Sequence, residues 1–296
     1  MLKWLKDKDN WAGYFFLIPW LIGLLAFTVI PIFSSLYLSL TSYNILTPAK
    51  FIGFGNYTRM ITDAKFISSL TVTLRFVFIS VPLQLAFALY IAVLLNRKIS
   101  GLKVYRAIYY IPSLLGGSVA ISLLWRQIFN GDGLINKLLD LIGIKGMNWI
   151  ATPSTALYTI ILLATWQFGS SMLIFLSALK QVPTELYEAA EIDGAGNSRK
   201  FISITFPMIT PMVFFNIVMQ VINAFQSFNS AYIISGGKGG PLNSTLLYSL
   251  YLYQKGFSHF EMGYASALAW VMLIIIAIVT ALIFLSSKRW VYNQDE

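Results

Sequence analysis

Cysteine is absent from the 296 residues and histidine occurs once, at His259. The first absence excludes disulfides and thiolate chemistry, and the second excludes a paired-histidine zinc site. Charged residues are scarce, at 11% against roughly 25% in an ordinary soluble domain. No Gly-x-x-x-x-Gly-Lys-Ser/Thr run exists to cradle nucleotide phosphates. Lys238 sits in a glycine-rich turn but lacks the following hydroxyl. The net charge of +9 raises the question of nucleic acid, yet no basic run or basic-aromatic motif accompanies it. No cluster of catalytic, cofactor-binding or metal-ligating groups can be assembled from the sequence. What is present is apolar: 57% hydrophobic residues and a mean hydropathy of +0.70 describe a polytopic membrane protein.

Six apolar segments are long enough to cross a hydrocarbon core about 30 Å thick. They fall near 13–40, 70–95, 107–128, 156–179, 206–232 and 264–286. The first is far longer than the core of a signal peptide and is expected to be a retained span. The sequence thus predicts an all-α fold and one integral-membrane domain over 1–296. With the N-terminus inside, the inner segments 1–12, 96–106, 180–200 and 288–296 hold twelve of the 21 Lys and Arg, including Lys3, Lys6 and Lys98. That density places both termini in the cytoplasm. Pro19, Pro31, Pro82, Pro112, Pro207 and Pro211 are expected to kink or delimit spans. Gly116 and Gly117 permit close helix approach. Arg75 and Arg126, at the outer ends of the second and third spans, read first as side chains snorkelling to the interface, with a role in gating contacts as the alternative.

The stretch from Pro183 to Pro207 is a polar island between two apolar segments. Pro183 suits a first helical turn, Glu185 and Glu188 favour a helix N-terminus, and good helix formers continue to Ile192. Gly194 and Gly196 stop the helix, with Gly194 expected at positive φ, and Asn197 or Ser198 can cap a second short helix ending near Pro207. The expected product is a helix-turn-helix elbow at 180–206 lying on the membrane surface. Its Leu186, Ala189, Ala190 and Ile192 form one face that fits a partner's groove, with glutamates at the rim.

This stretch resembles the EAA loop of permease subunits of binding-protein-dependent ABC importers. Glu188, Ala189, Ala190, Asp193, Gly194, Ala195, Phe201 and Pro207 all match at that family's spacing. Phe51 to Tyr57, Trp149 ahead of Pro153, and Gly236 to Pro241 with Ser244 and Thr245 are similar to stations in its sugar-importing branch. So are Asn96-Arg97-Lys98, Tyr105, Arg106 and Pro112. The turn at Gly236–Pro241 departs from that pattern, being enlarged by Lys238 and an extra glycine. The short tail after Lys288 and Arg289 resembles the maltose-F or glycerol-phosphate-A type of half.

The resemblance implies a type I ABC importer permease fold of about six transmembrane helices in a bacterial inner membrane. It further implies a second homologous permease, two cytoplasmic ATPases that carry the ATP and magnesium, and an extracytoplasmic sugar-binding protein. On that reading Glu185, Leu186, Glu188, Ala189, Ala190, Asp193, Gly194 and Ala195 dock the ATPase, and this chain binds no cofactor and hydrolyses nothing.

The spans carry neutral polar groups: Gln167, Ser170 and Ser171 in the fourth, and Gln220, Asn223, Gln226, Ser227 and Asn229 in the fifth. Amides in hydrocarbon must face a cavity or bond across helices. With Trp166, Phe168, Phe225 and Phe228 they make a surface that can stack on sugar rings and bond hydroxyls, or serve as interhelical glue. By alignment to maltose-type relatives the substrate stations fall on Gln167, Phe168, Ser171, Gln220, Asn223 and Ser227. The particular sugar stays open. An ion-coupled carrier is the first alternative, disfavoured because all twelve acids lie outside the predicted span interiors. A membrane enzyme and an ABC permease for a non-sugar solute are the others. The former lacks catalytic groups, and the latter is not expected to share the outer-loop stations.

Overall fold

A computed structural model describes residues 8–97 and 101–292, with side chains in the first helix from residue 15 onward. Lys3, Lys6 and Lys98, used above in the charge argument, lie outside the described residues. The helices α1 (Lys8–Leu24) and α2 (Ile30–Ser39) are joined by a π-helical turn, Leu25–Val29. A hairpin of β1 (Thr41–Asn44) and β2 (Thr47–Phe51) follows, then α3 (Gly55–Thr62) and α4 (Ala64–Leu95). Next come α5 (Leu102–Leu115), α6 (Val119–Ile128), α7 (Leu134–Asp140), α8 (Pro153–Trp166) and α9 (Gly169–Leu179). The chain closes with α10 (Thr184–Ile192), α11 (Asn197–Lys200), α12 (Phe206–Phe225), α13 (Asn229–Ile234), α14 (Tyr248–Tyr253) and α15 (Met262–Ser287).

Among the described residues four helical stretches are long and apolar enough to cross a membrane: Phe15–Ser39, Ala64–Leu95, Asn197–Ile234 and Met262–Ser287. Two bent pairs bring the number to six. The third expected span is one of these pairs: α5 and α6 meet at 96°. The sequence supplies the break, because Gly116-Gly117 is a poor helix interior and Ser118 caps the new helix by accepting the Ile121 N–H at 3.3 Å. The pair α8 and α9 bends by 42°. Gly169 stands at the start of α9, where a Cβ would lie 2.7 Å from the Tyr109 carbonyl oxygen, so α5 crosses close to this bend.

The structure divides into two compact units, the residues up to Thr62 with Leu252–Met272, and Asp63–Tyr251 with the residues from Leu273. In the first, the hairpin pairs Thr41 with Phe51 and Ser42 with Lys50, an antiparallel ribbon that the all-α expectation had not included. Asn44 turns it by accepting the Leu46 and Thr47 N–H groups. Asn56 is buried and donates from Nδ2 to the carbonyls of Ser39 and Thr41, at 2.8 and 2.9 Å. Glu261 ties α3 to the α15 end of the unit, pairing with Arg59 at 2.5 Å and Lys255 at 3.1 Å. The Arg59 guanidinium lies 4.3 Å from the Tyr264 ring centroid.

In the second unit α4 is the central helix, flanked by α8, α9 and α12. It buries Ser69, Thr73, Phe76, Val77, Ser80, Gln84 and Ala88 at the three-and-four spacing that puts them on one face. Asp63 caps it, accepting the Lys65 and Phe66 N–H groups and the Tyr251 hydroxyl.

Candidate functional site

The polar elbow forms largely as its sequence dictates. Helix α10 begins after Pro183, and Glu185 occupies its first turn. It ends in a Schellman motif: Ala195 N–H donates to the Ala190 carbonyl at 2.9 Å and Gly194 N–H to the Glu191 carbonyl at 3.0 Å. Gly194 has φ of +76°, as expected, and its missing Cβ would meet nothing within 4 Å. Backbone conformation and not crowding is therefore what requires glycine. Gly196, by contrast, is at φ −70° and itself stands at the N-cap of α11, the place expected for Asn197 or Ser198.

The second arm is not a separate short helix. Helix α11 runs through a π-helical turn, Phe201–Thr205, directly into α12, and Pro207 does not turn the chain. In the π turn the Phe206 N–H reaches back five residues to the Phe201 carbonyl. This slack accommodates a proline that lacks the N–H for a regular bond and whose ring crowds the preceding turn. The first span does the same, with its π turn immediately before Ile30-Pro31. The elbow is thus one free helix hinged to the root of the fifth span. Tyr187 Oη meets Thr205 Oγ1 at 2.8 Å, and Lys200 Nζ pairs with Glu191 at 3.1 Å across the hinge.

No residue of α10 is buried. Ile192 is 88% exposed and Leu186 40%. Ala189 is exposed and Ala190 half-buried beside Ala195 in the turn. Glu185, Glu188 and Asp193 are exposed and form no ion pair among the described residues. A helix that exposes its apolar face and leaves its rim acids unpaired has the physical form of a docking element.

A polar cavity of about 270 Å³ lies where α4, α8 and α12 converge. Of the sequence-derived stations, Gln167, Gln220, Asn223 and Ser227 line it. Phe168 does not: it is buried, 4.7 Å edge-on from the Phe87 ring. Ser171 is buried behind Gln220, whose Nε2 donates to its Oγ at 3.0 Å. Ser80 and Gln84 of α4 line the cavity and were missed, as were Gly116 and Gly117 as lining groups. Their signal was available, since Ser69, Thr73, Ser80 and Gln84 fall on the buried face of an otherwise apolar helix.

The wall is built on the break between α8 and α9. That break frees the Gln167 carbonyl and the Ser170 N–H, and other helices satisfy both. Gln84 Nε2 and Ser113 Oγ donate to the Gln167 carbonyl at 3.0 and 2.9 Å, while Ser113 Oγ accepts the Ser170 N–H at 3.0 Å. Gly116 leaves the room that the Gln167 side chain fills, because a Cβ there would stand 2.2 Å from Gln167 Cγ. Gln167 Nε2 is directed to the Leu163 carbonyl at 3.3 Å. Asn223 differs: it lines the cavity, is exposed, and makes no hydrogen bond among the described residues. Its full donor and acceptor set is open to a solute. The lining is neutral, rich in amides and hydroxyls, and carries no ionised side chain. Such a surface can bond hydroxyl groups and offers no acid or base for catalysis. Among the described residues no group of three acids and histidines could hold a metal ion.

Residues 64–293 match the family described as binding-protein-dependent transport system inner membrane component. The chain is 53% identical to a probable ABC transporter permease of Bacillus subtilis, over 98% of this chain and 94% of that one. It is 34% identical to a lactose transport system permease of Rhizobium radiobacter, over 96% and 97%. Its fold is similar to that of a chain in a bacterial alginate ABC transporter, solved with a periplasmic protein bound to an alginate pentasaccharide. The TM-score there is 0.84 at 21% identity, covering 98% of both chains.

Proposed function

The chain belongs to the family of binding-protein-dependent transport inner membrane components, and from that premise we propose that it is one transmembrane subunit of an ATP-driven carbohydrate importer. Similarity to a permease named for lactose supports the solute class. The observation that carries the reading is a pairing of two features: an unpartnered helix with bare apolar residues at one place, and a neutral, amide-lined cavity at another. A permease needs the first to receive work from an ATPase and the second to pass a polar uncharged solute.

On this reading the complete importer holds a second homologous permease, two cytoplasmic ATPases that bind the ATP and magnesium, and an extracytoplasmic sugar-binding protein. Glu185 to Ala195 dock the ATPase, with Leu186 and Ile192 in its cleft. Asn223, Gln167, Gln220 and Ser227 meet the solute, with Asn223 the principal contact. Phe168 and Ser171 hold that wall from behind. Both termini and the elbow lie in the cytoplasm, and the turn at Gly236–Pro241 lies outside.

The test is uptake of labelled oligosaccharide into membrane vesicles carrying the chain with its partner subunits and binding protein. Uptake should require ATP on the elbow side and persist when proton and sodium gradients are collapsed. Gradient-driven uptake without ATP would overturn the proposal. A cytoplasm-active reporter fused after Lys200 should work, and one fused after Gly239 should not; the reverse would overturn the orientation.

A further inference from the structure

A second concavity, of about 650 Å³, lies beyond the cavity along the same short helix. The cavity touches Asn229 and Ser230 at the start of α13, and the second basin touches Ile234 and Ser235 at its end. At 1.5 Å per residue the two are about 7 Å apart along that helix, so a short oligosaccharide reaches both. The two linings differ in charge. The cavity has no ionised side chain, whereas the basin is lined by Arg126 from α6 and Lys238 from the glycine-rich turn, with the amides of Gln127, Asn130 and Asn148 beside them.

Neither cation has a carboxylate partner among the described residues. Arg126 is held against the end of α13, Nη1 reaching the Ile233 carbonyl at 3.5 Å. Ordinary snorkelling toward the interface does not require two cations to converge on one concave, amide-lined basin. Lys238 belongs to the insertion that enlarges this turn. Gly236, Gly237, Gly239 and Gly240 all have positive φ, and a Cβ on Gly240 would stand 2.3 Å from Thr245 Oγ1. Hydrogen bonds hold the turn, from the Gly237 N–H to the Tyr232 carbonyl, the Gly239 N–H to Ser235 Oγ and the Thr245 N–H to the Gly239 carbonyl, and they keep its lysine at the basin. Two like charges without a counterion raise the local potential and favour an anion, and the flanking amides supply donors to a carboxylate.

We propose that this basin receives the carboxylate of an acidic saccharide, so that the imported carbohydrate carries a uronic acid or similar anionic group while its neutral units occupy the cavity. The inference rests on the carbohydrate reading above and narrows it.

The experiment uses the complete importer in vesicles and two probes, a uronate-terminated oligosaccharide and the same oligosaccharide with its carboxyl reduced to an alcohol. Parent protein should import the acidic probe faster. Arg126→Gln and Lys238→Gln should each lower its uptake about tenfold and leave the neutral probe within about twofold. Arg126→Lys, which keeps the charge, should retain most uptake and shows that loss in Arg126→Gln is not misfolding. Equal loss for both probes would overturn the inference, making the basin a docking surface for the binding protein. Import of the neutral probe alone would also overturn it and leave the carbohydrate reading intact. ATP-driven import of another solute class, with neither probe carried, would overturn both.

Discussion

The elbow and the cavity are both polar islands in an apolar chain, but they are held by different means. The elbow is built from bonds no more than eighteen residues apart, its Schellman closure, the Glu191–Lys200 pair and the Tyr187–Thr205 contact, and it leaves its apolar face bare. The cavity is built from bonds spanning 49 to 83 residues, Gln220 to Ser171, Ser113 to Gln167 and Gln84 to Gln167. Gln84, Gln167 and Gln220 are engaged with neighbouring helices or their own, while the side chains of Asn223, Gln226, Ser227 and Asn229 make no hydrogen bond among the described residues and face the cavity. An element that exposes its apolar side chains is completed by another protein. One that spends Gln84, Gln167 and Gln220 on its own helices keeps its shape and leaves its remaining amides for a solute.

This contrast can be broken or sharpened by mutation. The largest effect is expected at Ile192→Asp. The side chain is 88% exposed, so the fold should be unchanged, while a carboxylate forced into the ATPase cleft costs several kcal/mol. Sugar uptake should fall by about a hundredfold or more with membrane levels unaltered. Normal uptake would remove the elbow's role. Next is Asn223→Ala, which should slow uptake roughly five- to hundredfold and flatten discrimination between parent sugars and deoxy analogues. An unchanged deoxy profile in transport assays would show Asn223 to be scaffold.

The third test addresses the wall. Gly116→Ala drives a methyl into the Gln167 side chain and should cost about 1 to 3 kcal/mol, displacing that amide from the cavity. Gln167→Ala in the same protein should recover much of the loss in melting temperature, and purely additive effects would contradict the packing. The smallest effect concerns Glu261, in the other compact unit. Burial raises its carboxyl, but hydrogen bonds from Arg59 and Lys255, with their charges, outweigh this and hold it below the usual carboxylate value. The contribution is therefore fully present above the ordinary carboxylate value and is lost as pH falls through the lowered folded-state value. Partly screened by solvent, Glu261→Gln should cost less than about 1 kcal/mol at neutral pH. The difference in melting temperature between variant and parent should vanish in acid, and a difference that persists there would exclude the ion pairs as its source.

The elbow was legible because its signals are local: a proline at the start, acids in the first turn, and Gly194 where the chain needs positive φ. Its second arm was misread for an equally local reason. Pro207 ordinarily ends a helix, and nothing nearby reveals that a π turn absorbs it. The cavity was half legible. Amides in apolar segments announced that α8, α9 and α12 carry something polar, yet Gln167 and Ser171 read alike while one lines the cavity and the other lies behind Gln220. The hairpin at Thr41–Phe51 was missed because it is short and held by Asn56, whose two bonds reach back fifteen and seventeen residues.

The sequence by itself determined the membrane class, the approximate spans and the free helix of the elbow. Hydrophobic run length, glycine and proline placement and charge density act over one or two helical turns. Tertiary structure alone decided which polar side chains share a wall, since a buried amide's partner is chosen by whichever helix crosses it. It also decided that Arg126 and Lys238, 112 positions apart in the sequence, face one basin. Their convergence depends on α6 turning by 96° from α5 at Gly116-Gly117 and packing along α13, a geometry that no local run of residues encodes.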